Sequence, residues 1–222
     1  MLFNIFTHFV DQFSVLNVFR YITFRTGGAM MTSLIVSFVC GPYIIKWLKA
    51  RQIEGQPSRR DGPESHILTK AGTPTMGGFM ILLALVAATL LWADLRNGYV
   101  WAALSVTVGY GLIGFFDDYI KVSRKNSKGL SGKLKLVLQI IIAATATIWI
   151  TSLTSSPLAT SLALPFLKSV LIDLSWFFVA FAVLVMVGAS NAVNLTDGLD
   201  GLAIGPVMIA AGVFAIISYL VG

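Results

Sequence analysis

Six long runs without a charged residue constrain this chain more than any other feature of its sequence. Each run is close to the ~20 residues that an α-helix needs to cross ~30 Å of hydrocarbon. We therefore predict six transmembrane helices. The runs cover residues 26–45, 71–93, 97–116, 136–153, 174–196 and 201–222.

The composition supports this interpretation. Hydrophobic residues make up 56% of the 222 residues and charged residues only 12%, whereas charged residues form about 25% of an ordinary soluble domain. An ordinary soluble protein is therefore excluded. We expect an all-α fold, a polytopic membrane helix bundle that forms one integral membrane domain over residues 1–222, with residues 154–170 as an external loop of interfacial character.

Positive charge is concentrated in two of the loops between the predicted helices. Residues 46–70 and 121–135 carry six Lys or Arg each, out of sixteen in the chain. Cytoplasmic loops of membrane proteins carry such an excess, so both loops are predicted to be cytoplasmic and the N-terminus to lie outside. The alternation of helices then places residues 190–200 on the cytoplasmic side as well. We expect a lipid bilayer around the chain and no nucleic-acid partner.

The polar chemistry gathers on this one membrane face, in three segments: 46–70, 117–135 and 190–200. These segments are the predicted cytoplasmic active-site loops, because a purely structural protein less often places carboxylates against the ends of apolar helices. Seven of the ten acidic residues lie in these segments, namely Glu54 and six others that stand in or beside the motifs described below. The six are Asp61, Glu64, Asp117, Asp118, Asp197 and Asp200.

Asp117 and Asp118 stand side by side in GFFDDYIK, where the third uncharged run ends. If the helix continues past this point, Asp117 shares a face with Lys121 and Lys125 at i,i+4 spacing. A carboxylate that leads into a basic stripe suits an anionic ligand with Mg²⁺, which proteins bind through one or two carboxylates plus substrate phosphates. Two alternatives stay open: a stripe for anionic lipid headgroups, or an exposed ion pair worth roughly a few tenths of a kcal/mol.

The segment NAVNLTDGLD carries an Asn or Asp at every third position. A three-residue step drifts by about 60° around a regular helix, so the four side chains cannot share one narrow face. The glycine that follows the third of them indicates that the helix breaks here. Turn chemistry is the alternative, because the same residue types form tight connections. The four residues are Asn191, Asn194, Asp197 and Asp200.

The segment KAGTPTMGG begins at Lys70 and contains three glycines that let the backbone approach a ligand closely. The alternative is structural. Pro74 is suited to the entry of a helix, and the glycines are suited to helix packing.

The sequence GYGLIG at residues 109–114 matches the pattern G-x-G-x-x-G of dinucleotide-binding sites. It lies inside an apolar run rather than between a strand and a helix, so the context of a dinucleotide site is missing. Close packing of helices explains these glycines better.

Taken together, four stretches resemble the phospho-N-acetylmuramoyl-pentapeptide transferase family. They are DGPESH, KAGTPTMGG, GFFDDYIK and NAVNLTDGLDGLA, in order from Asp61 to Ala203. The aspartate pair is shared with the wider polyprenyl-phosphate sugar-1-phosphate transferases of glycosyltransferase family 4, whereas DGPESH and GTPTMGG are typical of the muramoyl-pentapeptide member. The resemblance covers essentially the whole chain but only about the first two-thirds of the family's length.

The resemblance implies a bacterial inner-membrane enzyme of peptidoglycan synthesis, and hence of cell shape and division. Its substrates would be UDP-N-acetylmuramoyl-pentapeptide and undecaprenyl phosphate, its products lipid I and UMP, and its cofactor Mg²⁺. Phosphoryl transfer asks a protein mainly for positioning and for neutralisation of charge, which the three polar loops can supply.

The resemblance also implies roles for individual residues. Asp117, Asp118 and Asp197 are the expected catalytic residues and Mg²⁺ ligands. Asn194 is expected beside the metal and pyrophosphate, the segment 198–200 at the uridine, and four lysines and a threonine at phosphates or nucleotide. The expected substrate-binding residues are Lys70, Thr75, Lys121, Lys125, Lys133, Asn194, Gly198, Leu199 and Asp200.

Two other functions stay open at this point. One is a sibling enzyme that uses UDP-GlcNAc, and the other is a non-catalytic, transporter-like membrane protein in which polar residues mark a pathway. The family also carries a further metal-binding aspartate and a histidine-rich loop beyond the matched part. We therefore expect the 222 residues by themselves to be inactive, and we leave open assembly as a homodimer.

Overall fold

The computed structural model of the chain describes residues 1–52, 76–124, 129–154, 157–164, 167, 170–197 and 202–221. Within these residues the chain is mostly helical, with short 3-10 helices at Thr7–Phe9, Ser14–Arg20 and Pro157–Thr160. The α-helices are α1 (Leu2–Phe6), α2 (Ile22–Arg51), α3 (Gly78–Trp92), α4 (Gly98–Ser123), α5 (Gly132–Leu153), α6 (Phe177–Thr196) and α7 (Ile204–Val221).

Each of the six uncharged runs overlaps one of the helices α2 to α7, as the sequence predicts, and α2, α4 and α5 extend beyond their runs. Four of these helices, namely α2, α4, α5 and α6, are long and apolar enough to cross a membrane. Helices α3 and α7 are apolar but shorter. The chain is therefore a membrane protein with four candidate spans in its described part, and the crossing of all six runs stays a prediction.

Helix α4 continues beyond its uncharged run, as the spacing of its charges predicts. It begins after Asn97, whose side-chain oxygen accepts a hydrogen bond from the Tyr99 N–H (2.9 Å), the usual role of an N-cap residue. It ends at Ser123. Asp117 and Lys121 thus lie on the last turns of one helix, where the apolar stretch has ended.

The all-α prediction misses a small antiparallel sheet in and beside the stretch 154–170. Strands β1 (Ser161–Ala163) and β2 (Leu171–Asp173) pair with Leu162 opposite Ile172. A connection that leaves a helix still has to pair its backbone N–H and C=O groups, and this hairpin does so. The sequence prediction failed here because three-residue strands are too short to show a period of two.

Asp173 closes this hairpin with its side chain. Its Oδ1 accepts hydrogen bonds from the Thr160 hydroxyl (2.7 Å) and from the Ser175 N–H (2.9 Å). These bonds hold the pKa of the Asp173 carboxyl below its ordinary value. The position of this carboxylate is therefore explained by the hairpin.

The chain divides into two compact units, Met1–Ile142 and Ala143–Gly222. In the first unit, α3 packs against both α2 and α4. Glycines permit the close approach: a Cβ on Gly111 would come within 2.7 Å of Leu82, and one on Gly109 within 2.9 Å of Ile142. Two glycines of GYGLIG therefore serve helix packing, as predicted, and the dinucleotide interpretation is excluded.

Trp92, at the end of α3, packs against α2 where α2 carries Gly28. Its ring stacks on Phe19 (centroids 5.9 Å apart) and meets Phe24 edge-on (5.8 Å). Its Nε1–H donates a hydrogen bond to the Thr32 hydroxyl (2.8 Å). A Cβ added at Gly28 would overlap this ring, so the ring would have to shift out of these three contacts.

We predict that Gly28→Ala lowers the free energy of unfolding by about 1–3 kcal/mol, the usual cost of overpacking a fixed core. The matched control is Gly27→Ala, because a Cβ there meets nothing within 4 Å. That variant should be neutral or stabilising by up to about 1 kcal/mol, since alanine reduces the freedom of the unfolded chain. Thermal unfolding of both variants in detergent checks the difference, and equal losses would contradict it.

Candidate active site

The side chain of Asp117 is the centre of a charged cluster at the end of α4. It is only 8% exposed, and burial of a lone charge is costly unless donors compensate it. Three donors do so. The ammonium groups of Lys121 and Lys135 lie 2.7 and 2.8 Å from its Oδ2, and the Leu130 N–H donates a hydrogen bond to its Oδ1 (2.8 Å).

Asp118 has a different environment from its neighbour. Its side chain is 28% exposed, and its Oδ1 lies 3.2 Å from the Lys121 ammonium. Adjacent residues on a helix point about 100° apart, which accounts for the difference. The structure thus brings together three of the predicted residues, Asp117, Asp118 and Lys121, and gives the two carboxylates unequal access to solvent.

Two partners of Asp117 were not among the predicted site residues, namely Lys135 and the Leu130 N–H. One sequence signal could have drawn attention to Lys135. It lies in the first turn of α5, where a positive charge opposes the helix dipole and so gains from a nearby carboxylate. The Leu130 N–H carried no such signal, because a backbone donor in a loop has no residue-type signature.

The connection between α4 and α5 approaches Asp117 very closely. A Cβ added at Gly129 would overlap Oδ1 of Asp117 and reach 3.0 Å from the Lys121 side chain. Two residues further on, Ser131 immediately precedes α5, and its hydroxyl accepts a hydrogen bond from the Leu134 N–H (3.3 Å). The glycine lets the loop pass, and the serine starts the helix that carries Lys135.

Lys133 is exposed on the first turn of α5. A phosphate group that arrives from solvent could therefore reach this lysine, as its predicted role requires. Six predicted site residues lie outside the described residues. They are Lys70, Thr75, Lys125, Gly198, Leu199 and Asp200.

Asn194 and Asp197 belong to the second unit, where α6 ends at Thr196. Both side chains are exposed, and Asp197 follows the last helical residue. The predicted break of the helix in this segment is confirmed. Asn191 lies one turn earlier, and its Nδ2 donates to the Val187 carbonyl (2.8 Å).

The donor set suits Mg²⁺ in part. Among the described residues, no three His, Cys, Asp or Glu side chains converge on one point. Mg²⁺ is commonly held by only one or two carboxylates plus substrate phosphates, and the partly exposed carboxylate of Asp118 fits that pattern. Asp117 could be such a ligand only by exchanging an ammonium contact for the metal.

The long apolar helices indicate an integral membrane protein, and the buried Asp117 carboxylate with its two lysines forms a charged site at the end of one candidate span, α4. Residues 100–222 match the family model Glycosyl transferase family 4. The chain therefore belongs to glycosyl transferase family 4. Residues 70–82 also match signature 1 of phospho-N-acetylmuramoyl-pentapeptide-transferase, which confirms the resemblance found in the sequence.

A curated relative extends this similarity over the whole chain. The phospho-N-acetylmuramoyl-pentapeptide-transferase of Granulibacter bethesdensis (strain ATCC BAA-1260 / CGDNIH1) is 62% identical over all 222 residues. The chain spans 61% of the length of that relative.

We predict that Gly129→Ala displaces Asp117 and lowers the free energy of unfolding by about 1–3 kcal/mol, because the added methyl group overlaps a carboxylate that three donors hold in place. The matched control is Gly132→Ala, three residues along the chain, where a Cβ meets nothing within 4 Å. Since alanine favours helix, this control should be as stable as the wild type or more so. Thermal unfolding in detergent measures both, and a stable Gly129→Ala would contradict the close approach.

Proposed function

We propose that the protein transfers phospho-N-acetylmuramoyl-pentapeptide from UDP-N-acetylmuramoyl-pentapeptide to undecaprenyl phosphate, giving lipid I and UMP. The observation that carries this proposal is the 62% identity over the full chain to a protein with that transferase name. The signature match at residues 70–82 favours this substrate over UDP-GlcNAc, the substrate of the sibling enzyme. The product feeds peptidoglycan synthesis, and through it cell shape and division.

In the proposed reaction, a phosphate oxygen of undecaprenyl phosphate forms a bond to the β-phosphorus of the nucleotide substrate. The bond from that phosphorus to the oxygen that bridges to the α-phosphorus breaks, and UMP leaves with the bridging oxygen. Little covalent chemistry falls to the protein, so its work is positioning and charge stabilisation.

The charged residues divide this work between them. Asp117 and Asp118 orient or deprotonate the lipid phosphate, and Lys121 and Lys133 place positive charge near phosphate oxygens. A lysine acts there as a point charge. Asn194 lines the pyrophosphate region, with Lys70, Thr75 and Lys125 at phosphates or nucleotide and residues 198–200 at the uridine.

Mg²⁺ supplies neutralisation of the charge that develops on the phosphates. The proposed ligands are Asp118 and Asp197, whose carboxylates are accessible, and Asp117, whose carboxylate is held by lysines. The two lysine contacts hold Oδ2 of Asp117.

The proposed enzyme lies in the bacterial inner membrane with six spans, the N-terminus outside and the site on the cytoplasmic face. The twelve basic residues in loops 46–70 and 121–135 support this orientation by the positive-inside rule. A lipid substrate keeps its tail in hydrocarbon there, while its phosphate meets a soluble nucleotide at the surface. A homodimer is the proposed assembly.

The activity test uses a completed protein, in which the chain is followed by the C-terminal segment of the Granulibacter relative. Asp117→Asn, Asp118→Asn and Asp197→Asn should each lower the rate of UMP release by about 10²-fold or more, because each removes a charge that positions or activates phosphate but keeps the volume. Asp11→Asn serves as the matched control, since this carboxylate is exposed near the N-terminus.

Near-normal turnover in all three variants would mean that the carboxylates are only charges at helix ends, and it would contradict the proposed mechanism.

The 222 residues assayed alone should release no UMP above background, because small misplacements of reacting groups cost about 10²-fold in rate. A substrate panel with UDP-GlcNAc in place of the pentapeptide substrate decides between the sibling activities. Uptake into proteoliposomes without lipid-linked product would instead revive the transporter-like alternative.

The membrane orientation predicts where a reagent reaches the chain. In a Cys40→Ala background, a thiol from Ser123→Cys should react with a membrane-impermeant maleimide only in inside-out vesicles. A thiol from Arg96→Cys, also at an exposed position, should react in intact cells. The reverse pattern would overturn the proposed orientation, and labelling of both positions from one side would overturn the crossing of α4.

A further inference from the structure

We propose that Lys135 is a positioning residue of the active site, one that fixes the Asp117 carboxylate from the neighbouring helix. The role rests on the proposed function, because it concerns how the reacting groups are held. Neither the family signature at residues 70–82 nor the sequence reasoning assigns a role to Lys135.

The two lysines that contact Asp117 stand on different helices. Lys121 is four residues from Asp117 on α4, and its ammonium also lies 3.2 Å from Asp118. Contacts within one helix cannot set the distance to another helix. Lys135 stands on α5, and its ammonium lies 2.8 Å from Oδ2 of Asp117. Lys135 therefore joins the two helices at the carboxylate.

The loop supports the same arrangement from the other oxygen. The Leu130 N–H donates to Oδ1 of Asp117 (2.8 Å), while Lys121 and Lys135 approach Oδ2. A carboxylate contacted at both oxygens from two sides has one favoured orientation, because rotation would break a contact at each. Without Lys135, the remaining contacts come from its own helix and from a loop backbone.

Burial makes this contact more than a surface ion pair. The Asp117 side chain is 8% exposed, and that of Lys135 is 32% exposed. Exposed ion pairs contribute little to stability, whereas removing one partner of a buried ion pair is strongly destabilising because it leaves a buried charge uncompensated. Removal of the Lys135 ammonium should therefore shift the Asp117 side chain or loosen it. Asp117 lies beside Asp118, near the end of α4.

The first arm of the test measures UMP release by the completed protein with Mg²⁺ present. Lys135→Met should lower kcat by about 10²-fold, the cost of a small misplacement of a reacting group, and should leave KM for the nucleotide substrate within about twofold. Lys135→Arg should recover most of kcat, because a guanidinium also pairs with a carboxylate. Arg20→Met, at an exposed position outside the three polar segments, is the control and should show normal kcat and KM.

The second arm needs no turnover. Thermal unfolding of the 222-residue chain in detergent compares Lys135→Met, Asp117→Asn and the double variant. The two substitutions should be non-additive, because each removes the same contact. The matched pair for this arm is Arg20→Met with Asp117→Asn, and the effects of these two substitutions should be additive.

Each outcome decides the proposal. Normal kcat in Lys135→Met would overturn positioning even if the unfolding effects were coupled, and a raised KM with normal kcat would make Lys135 a substrate contact instead. Absence of turnover in the wild-type completed protein would contradict the proposed function. The unfolding arm then decides alone: additive effects overturn the role of Lys135, and coupled effects support it.

Discussion

Hydrocarbon offers no hydrogen-bond partner to a peptide group, and most of this structure follows from that constraint. Each of the six uncharged runs overlaps a helix, the element that pairs its backbone groups within one segment. Where the chain leaves the helices, the short strands β1 and β2 meet the same demand by pairing with each other. Charged side chains are left to the ends of helices and to the loops, where water can reach.

The charged cluster at the end of α4 answers a second demand, the compensation of a buried charge. The Asp117 carboxylate receives two ammonium groups and a backbone N–H, and these donors come from α4, α5 and the loop between them. The contacts that make the carboxylate tolerable in this position also hold two helices at a set separation. Structure and proposed chemistry therefore depend on the same few atoms.

Close contacts with neighbouring elements explain why the structure requires some glycines and not others. Gly28 and Gly27 are adjacent and chemically identical, yet only Gly28 faces the Trp92 ring. Gly129 and Gly132 differ in the same way, since only Gly129 lies against Asp117. In a chain with twenty glycines, the neighbouring element decides which of them the fold requires.

The sequence by itself determined the helical segments, the polar loops and the family, because each rests on local signals: run length, charge and short motifs. It also identified Asp117, Asp118 and Lys121, whose i,i+3 and i,i+4 spacing survives in the helix. The hairpin was missed, since its strands are too short for a period. Only the tertiary structure placed Lys135 and Gly129 at the Asp117 carboxylate, because a contact between two helices depends on the path of the loop that joins them, and no periodic pattern records that path.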